Sequence, residues 1–351
     1  MRRLLVVVLL VGGGLLVAGP AQAHVGGGRA GSDFDGRVLA VTPSVPGVSV
    51  RVLSFGDDVE LRNASSTEVM VPGYSDEPYL RIGRDGVWRN RNSPATYINL
   101  SLDGRATLPS SADPHASPDW EQVSTETSYV WHDHRTHWMS AGELPPVVAA
   151  DPSRPHQVFA WSIPVFYGSQ EVVVTGELTW SPPPSPWVVW PVCVLLLMLG
   201  VAAGVGARSP RPLGVLMTVG AAAAVWHAAT TPAPAASVGS HLGALVSALL
   251  PAALVLLIAL AGVRAALRGR GVMTGLMALL IGWLLLVEGL PDVDVLWTSH
   301  ALSNGPGFLA RAAVAVMVAL GAGLVVGGAF AARRFRDAAR PVEVRSATQP
   351  V

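Results

Sequence analysis

Three imidazoles, a carboxylate and a thioether fall within eight residues of the segment Tyr129-Val130-Trp131-His132-Asp133-His134-Arg135-Thr136-His137-Trp138-Met139. Only six other histidines occur in the 351-residue chain. Imidazole and thioether suit late transition metals, and copper in particular. If the strand pattern of Ser128–Trp131 continues, His132 and His134, two apart, project to one side. A turn at Arg135-Thr136 can return His137 and Met139 to that side, with Asp133 orienting a ring from behind the ligands. The segment therefore predicts a metal site of His132, His134, His137 and Met139, supported by Asp133, with copper as the ion. The competing reading is a solvated loop whose histidines hydrogen-bond along the surface while Trp131, Trp138 and Met139 pack as core or edge residues.

The surrounding sequence decides which compartment such a site faces. Arg2 and Arg3 form a short basic region, Leu4 to Val17 an apolar run broken only by glycines, and Ala21-Gln22-Ala23 a small-residue cleavage site. Together these predict a signal peptide over residues 1–23. Cleavage there makes His24 the first mature residue, and a terminal histidine can chelate through both its amine and its ring. His24 is thus a further candidate ligand. The alternative is that Val25-Gly26-Gly27-Gly28 makes it the tip of a flexible tail.

Net neutrality hides two unlike halves. His24–Pro186 holds eleven arginines against nineteen carboxylates, a net of −8, and Trp187–Val351 holds eleven against five, a net of +6. Lysine is absent. An acidic soluble half argues against nucleic acid as a partner. Cys193 is the only cysteine and lies in an apolar run. That removes a disulfide framework, a blue-copper centre and thiolate zinc sites. No phosphate-cradling Gly-rich loop and no G-x-S-x-G elbow is present, so nucleotide-enzyme and hydrolase readings lack support.

In the first half, apolar residues alternate with polar ones at Val48–Val52, Val59–Leu61, Val69–Val71, Tyr79–Ile82, Tyr97–Leu100, Ser128–Trp131, Val158–Ile163 and Val172–Trp180. Turn formers such as Pro72-Gly73 and Asp85-Gly86 separate them. The pattern predicts an all-β sandwich over residues 24–180, with Ser110–Pro118 as a surface loop. Ser181-Pro182-Pro183-Pro184-Ser185-Pro186 reads as a stiff spacer over 181–186.

Residues 187–332 carry five apolar stretches long enough to span a bilayer: Trp187–Val205, Leu213–Ala229, Leu242–Val263, Val272–Leu290 and Phe308–Phe330. With the β-region outside, the linking segments and the 333–351 tail place ten of eleven arginines inside, leaving Arg311 at the outer face. The tail is then cytoplasmic, and the lipid bilayer is a partner. The same topology sets His227, His241 and His300 at the outer side, with Glu288, Asp292 and Asp294 level with them. Polar groups in or beside spans tend to be functional, so these three histidines are a candidate outer-mouth metal site, against the plainer reading of solvated interfacial side chains. A b-type haem between His227 and His241 is a further alternative, although each sits near a helix end.

Tyr129-Val130-Trp131-His132-Asp133-His134 resembles the H-x-H copper motif of multicopper oxidases. A second H-x-H and the histidine-cysteine-histidine cluster of those enzymes are missing here. The resemblance implies a β-sandwich, Ig-like or cupredoxin-like, and copper-type ligation, without the oxidase chemistry. The layout also resembles periplasmic copper carriers of the CopC type fused to copper-import membrane domains. In that family a mature N-terminal histidine joins an Asp-x-His pair on an Ig-like sandwich. This implies His24 with a partner among His132, Asp133 and His134. The glycines at 26–28 and five spans rather than eight depart from the pattern. These readings lead to an expected metal-binding protein of the bacterial cell membrane, acting in copper sequestration or delivery, with no catalysis assigned. The alternative is an envelope scaffold or sensor that binds a protein or wall component. An oxidative enzyme built on a terminal histidine brace stands third.

Mature protein is expected to begin at His24 with residues 24–186 outside the cytoplasm. N-terminal sequencing of the membrane-bound form checks this, and a chain starting at Met1 defeats the scheme.

Overall fold

The computed structural model describes residues 30–101, 103–140, 142–232 and 241–338, with 241–248 described by backbone alone. Residues 1–23 and His24 lie outside the described residues, as do 339–351 of the tail.

Alternating apolar side chains make the first half a β-rich region. Its strands are β1 (Gly31–Ser32), β2 (Phe34–Thr42), β3 (Val48–Leu53), β4 (Asp58–Asn63), β5 (Val69–Pro72), β6 (Pro78–Gly83), β7 (Gly86–Asn90), β8 (Trp120–Ser124), β9 (Ser128–His132), β10 (His156–Tyr167) and β11 (Gln170–Trp180). Seven of them form a sheet in the order β2-β11-β10-β5-β6-β7-β8, and β3-β4-β9 form a second. Neither sheet closes on itself. Along β11, Val172, Val174, Leu178 and Trp180 are buried while the residues between them are more open. Val59, Leu61 and Trp131 of the small sheet share one core with Val71, Leu80, Ile163 and Val174 of the large one. Each such aliphatic side chain contributes roughly 1.5–3 kcal/mol on full burial, so this shared face holds the two sheets together.

One expected strand is not a strand. Tyr97–Leu100 belongs to the short helix α1 (Ala95–Ile98) and the turn after it. Pro94 already holds helical backbone angles, φ −54 and ψ −34. Thr96 Oγ1 then donates to the Asn90 carbonyl at 2.6 Å and Tyr97 OH to the Arg91 carbonyl at 2.9 Å. These local bonds favour a turn of helix over a ladder. A second short helix, α2 (Pro146–Ala150), opens on a proline at its first position. The strands β2, β7 and β8 carry no clean alternation, because arginines and carboxylates occupy their exposed face; Arg89 and Glu121, for example, pair across β7 and β8.

The second half is helical: α3 (Pro186–Val205), α4 (Arg211–Thr230), α5 (His241–Leu267), α6 (Gly271–Gly289), α7 (Gly307–Ala315) and α8 (Gly321–Ala338). A 3-10 segment, Leu290–Leu296, prolongs α6, and a π-helical turn, Val316–Leu320, joins α7 to α8. Five helices, with α7 and α8 continuous as one, are long and apolar enough to cross a membrane. Small residues bring them into backbone contact. A Cβ on Gly200 or Gly204 of α3 would run into Gly323 or Gly327 of α8, the close approach that small-residue stripes allow between apolar helices.

The two halves meet at β1. It pairs with β12 (His300–Ala301), placing Gly31 opposite Ala301 and Ser32 opposite His300. Asp294 Oδ2 accepts from the amides of Ala30 and Gly31 at 3.1 Å each, and Asp33 Oδ1 accepts from the Ser299 amide at 2.8 Å. Arg311 donates to the carbonyls of Val295, Thr298 and Ser299 at 3.1, 2.6 and 3.2 Å. That accounts for the one arginine the charge pattern leaves at the outer face: it ties down this loop. On the other side the spacer is short, because β11 ends at Trp180 and Pro186 is already the first residue of α3.

Close backbone approach also connects β2 to the histidine segment. A Cβ on Gly36 would meet Gly56 Cα at 2.6 Å. Gly56 sits at φ +127, and a Cβ there would press on Thr136 O at 3.0 Å and Leu178 Cδ1 at 3.1 Å. Both the dihedral and the space demand glycine. Gly56→Ala is therefore expected to cost about 1–3 kcal/mol, read as a lowered thermal midpoint of the purified full chain. A midpoint equal to that of the parent would refute this close contact.

Candidate metal centre

The register of β4 and β9 sets His132, the last residue of β9, opposite Asp58. Beyond it the chain leaves the sheet and turns. Thr136 N donates to Asp133 O at 3.2 Å, and Thr136 Oγ1 reaches both Asp133 O at 2.8 Å and Gly56 O at 2.6 Å. This tight turn, rather than a continuing strand, swings His134 and His137 back toward His132. Ring centroids lie 4.7 Å apart for His132 and His134, 4.5 Å for His132 and His137, and 5.1 Å for His134 and His137. One nitrogen from each ring lies within 4.8 Å of the other two, and no other trio of His, Cys, Asp or Glu does so among the described residues. Three nitrogens at ~2.0–2.1 Å from a tetrahedral ion stand about 3.4 Å apart, so the ring nitrogens, within 4.8 Å of one another, need to close in by at most about 1.4 Å.

Hydrogen bonds choose which nitrogen each ring offers. His134 Nε2 lies 3.1 Å from the Ile98 carbonyl, which can only accept, so this nitrogen carries the proton. The lone pair is then on Nδ1, which is buried with no hydrogen-bond partner. His137 Nδ1 lies 3.3 Å from the Asp133 carbonyl, so its lone pair is on Nε2. His132 Nδ1 stands 3.8 Å from Asp58 Oδ1, too long for a hydrogen bond, and neither of its ring nitrogens has a hydrogen-bond partner. A ring that donates one N–H to a carbonyl and offers the other nitrogen inward is the usual arrangement of a metal-bound histidine. Burial lowers the pKa of His134, and His132 and His137 add to the effect, which keeps the ring in the neutral form that binds metal.

Asp133 has a different role from the ring-orienting one expected. Its carboxylate, fully buried, accepts from Arg135 Nε at 2.8 Å, Arg135 Nη2 at 2.7 Å and Trp131 Nε1 at 2.8 Å. Burial alone would raise its pKa, but the Arg135 bonds outweigh it and hold the group below the ordinary carboxylate range. It is the backbone carbonyl of Asp133, not the carboxylate, that meets an imidazole. Met139 is exposed, and its methyl packs by Gly104 beside the Nε2–Cε1 edge of His134, so it borders the cluster.

The outer-mouth histidines are not gathered in this way. His227 Nε2 pairs with Asp292 Oδ2 at 2.8 Å, and His300 sits in the β1–β12 ladder. His241 opens α5, with its side chain outside the described residues. Three groups that serve the cluster have little or no signature in the sequence. Asp58 is recoverable by pairing Val59–Leu61 with Ser128–Trp131. The Ile98 carbonyl becomes available only because α1 replaces a strand. Tyr74 accepts the His134 amide at 3.0 Å, donates to Asn99 and carries the Arg135 guanidinium 5.2 Å from its ring centre.

Comparison of the chain with protein-family models, with curated proteins and with solved structures returned no match. Arg135→Leu would leave the Asp133 carboxylate buried without its cation, and is expected to destabilise the chain by about 3 kcal/mol. Chemical denaturation of the full chain measures this; an unchanged midpoint would show that the pair does not hold the turn.

Proposed function

We propose that this chain is a membrane-anchored, extracytoplasmic protein whose His132, His134 and His137 bind copper, for sequestration or delivery at a bacterial envelope. The observation that carries the reading is the orphaned nitrogen set: three largely buried imidazoles converge, and His132 and His134 present ring nitrogens that no protein group satisfies. Buried polar atoms without partners are rare in native proteins, and an ion is one of their few explanations. Affinity for divalent ions in such nitrogen sites peaks at copper. Met139 at the rim supplies a soft neighbour. Two sheets sharing one apolar core support an Ig-like or cupredoxin-like sandwich, and the arginine distribution supports its placement outside.

Full-length protein in detergent, stripped with chelator and reloaded with copper, tests this by elemental analysis after desalting. His132→Ala and His134→Ala are each expected to remove one tightly held copper per chain. His115→Ala and His156→Ala are not, since His115 is exposed and His156 Nε2 is bonded to the Asp151 carbonyl at 2.6 Å. Copper retained at full stoichiometry after loss of both His132 and His134 would sink the assignment. Zinc held against a copper challenge would reassign the ion, and no metal at all would leave an envelope scaffold or sensor as the reading.

A further inference from the structure

The chain that follows the histidine turn is apolar where it is exposed. Residues 138–150 carry one charged side chain, Glu143. Met139, Leu144 and Val147 are 41%, 48% and 42% exposed, and Pro146, Ala149 and Ala150 are open beside them. Among the described residues outside the helical half, six large apolar side chains are exposed, and three of them fall here. The one ring nitrogen of the stretch is already satisfied, since Trp138 Nε1 donates to the Glu143 carbonyl at 2.8 Å. An exposed apolar patch of this kind marks a surface that meets protein or lipid.

Both ends of the stretch are held where the β-region meets the bundle. At its far end α2 packs against β10, and His156 Nε2, at the start of β10, lies 2.6 Å from the Asp151 carbonyl. His156 pairs with Trp180 of β11, and Trp180 with Phe34 of β2. The next amide, of Ser181, donates to Asp33 O at 2.8 Å, and Asp33 Oδ1 accepts from the Ser299 amide. At its near end Thr136 Oγ1 donates to Gly56 O, and Gly56 abuts Gly36, three residues from Asp33. At ~3.3 Å per residue that strand segment spans about 10 Å. Tryptophans mark the same level on the bundle. Trp297, two residues before Ser299, lies 5.2 Å, ring to ring, from Trp190 of α3. Trp187 and Trp190 are both exposed at the start of that membrane-length helix, where tryptophan favours the bilayer boundary.

We propose that Met139, Leu144 and Val147 rest on the bilayer surface beside the bundle, at the boundary between headgroups and acyl chains. Short apolar surfaces settle at that depth when they carry little charge. Lipid is the occupant because the patch lies at the level of Trp187 and Trp190, whose exposed rings face the same leaflet. The contact also forms within one chain, already tethered by the six-residue spacer and the β1–β12 ladder, so no partner has to be recruited. Trp138 follows His137 directly, which sets the imidazole cluster beside the lipid. Exchange of copper at the membrane surface would follow from that placement; this consequence rests on the proposed function, whereas the lipid contact does not.

Fluorescence quenching of the full chain in nanodiscs tests the contact. In a Cys193→Ser background a bimane label is attached at Leu144→Cys or Val147→Cys. Leu39→Cys is the reference, because Leu39 is exposed on β2. It lies five residues past Phe34, or roughly 17 Å farther from the bundle by the strand rise. The labels at 144 and 147 are expected to lose most of their emission to shallow nitroxide lipid and little to aqueous iodide, and the label at 39 to do the reverse. The same pattern in His132→Ala/His134→Ala chains, or in a parent that holds no copper, would uphold the contact whatever becomes of the metal reading. Iodide quenching at 144 and 147 equal to that at 39 would overturn it. Labels shielded from both quenchers would overturn it too, and would give the patch to a second copy or another protein.

Discussion

The histidine cluster depends on one buried carboxylate. Asp133 receives three side-chain hydrogen bonds, two from Arg135 and one from Trp131, and its amide is held by the Asp57 carbonyl at 3.3 Å. Trp131 is a core residue of β9, so the carboxylate is tied to the sheet on one side and to the turn on the other. Once Asp133 is fixed, its carbonyl can seat both Thr136 and the His137 ring. The residue acts through charge burial and backbone geometry together. A neutral isostere would keep the shape but weaken the clasp, since charge-assisted hydrogen bonds are about twice as strong as neutral ones.

Much of this was legible in the residues and some was not. The three histidines announced themselves by density, and the five apolar stretches by length. Strands such as β3 and β11 were readable because more and less buried residues alternate along them. What period-two reasoning could not supply is how the chain leaves a strand. It brought His132 and His134 to one side only if the strand of Ser128–Trp131 continued, whereas β9 ends at His132 and the backbone turns from Asp133. It also read Tyr97–Leu100 as extended, although the hydroxyls of Thr96 and Tyr97 and the helical dihedrals of Pro94 settle that segment locally. Side-chain-to-backbone bonds decided both cases, and they leave no periodic trace. The role of Asp133 was misjudged for the same reason: adjacency in sequence suggested a bond to a ring, and a neighbouring guanidinium claimed the carboxylate instead.

In the helical half, composition foretold the five membrane-length helices and packing decided the rest. Glycines at 200, 204, 323 and 327 let α3 and α8 touch backbone to backbone, which places the first and last long helices side by side. Arg311, anomalous on charge distribution alone, is explained by the three carbonyls of Val295, Thr298 and Ser299 that it holds. The ring of Trp297 in that loop lies 5.2 Å from that of Trp190 on α3, so an aromatic pair adds to the same junction.

The pairing of β1 with β12 joins residues about 270 positions apart, across almost the whole described chain. A ribosome makes β1 about 270 residues before β12. Closing so distant a contact is a late event, because loop closure must wait for the partner segment to exist. The two sheets, whose contacts are all contained in the first half, have every interaction they need well before that moment. Assembly therefore has a built-in order, in which the β-region takes shape on its own and is then fastened to the finished bundle by a strand that has been waiting at its edge.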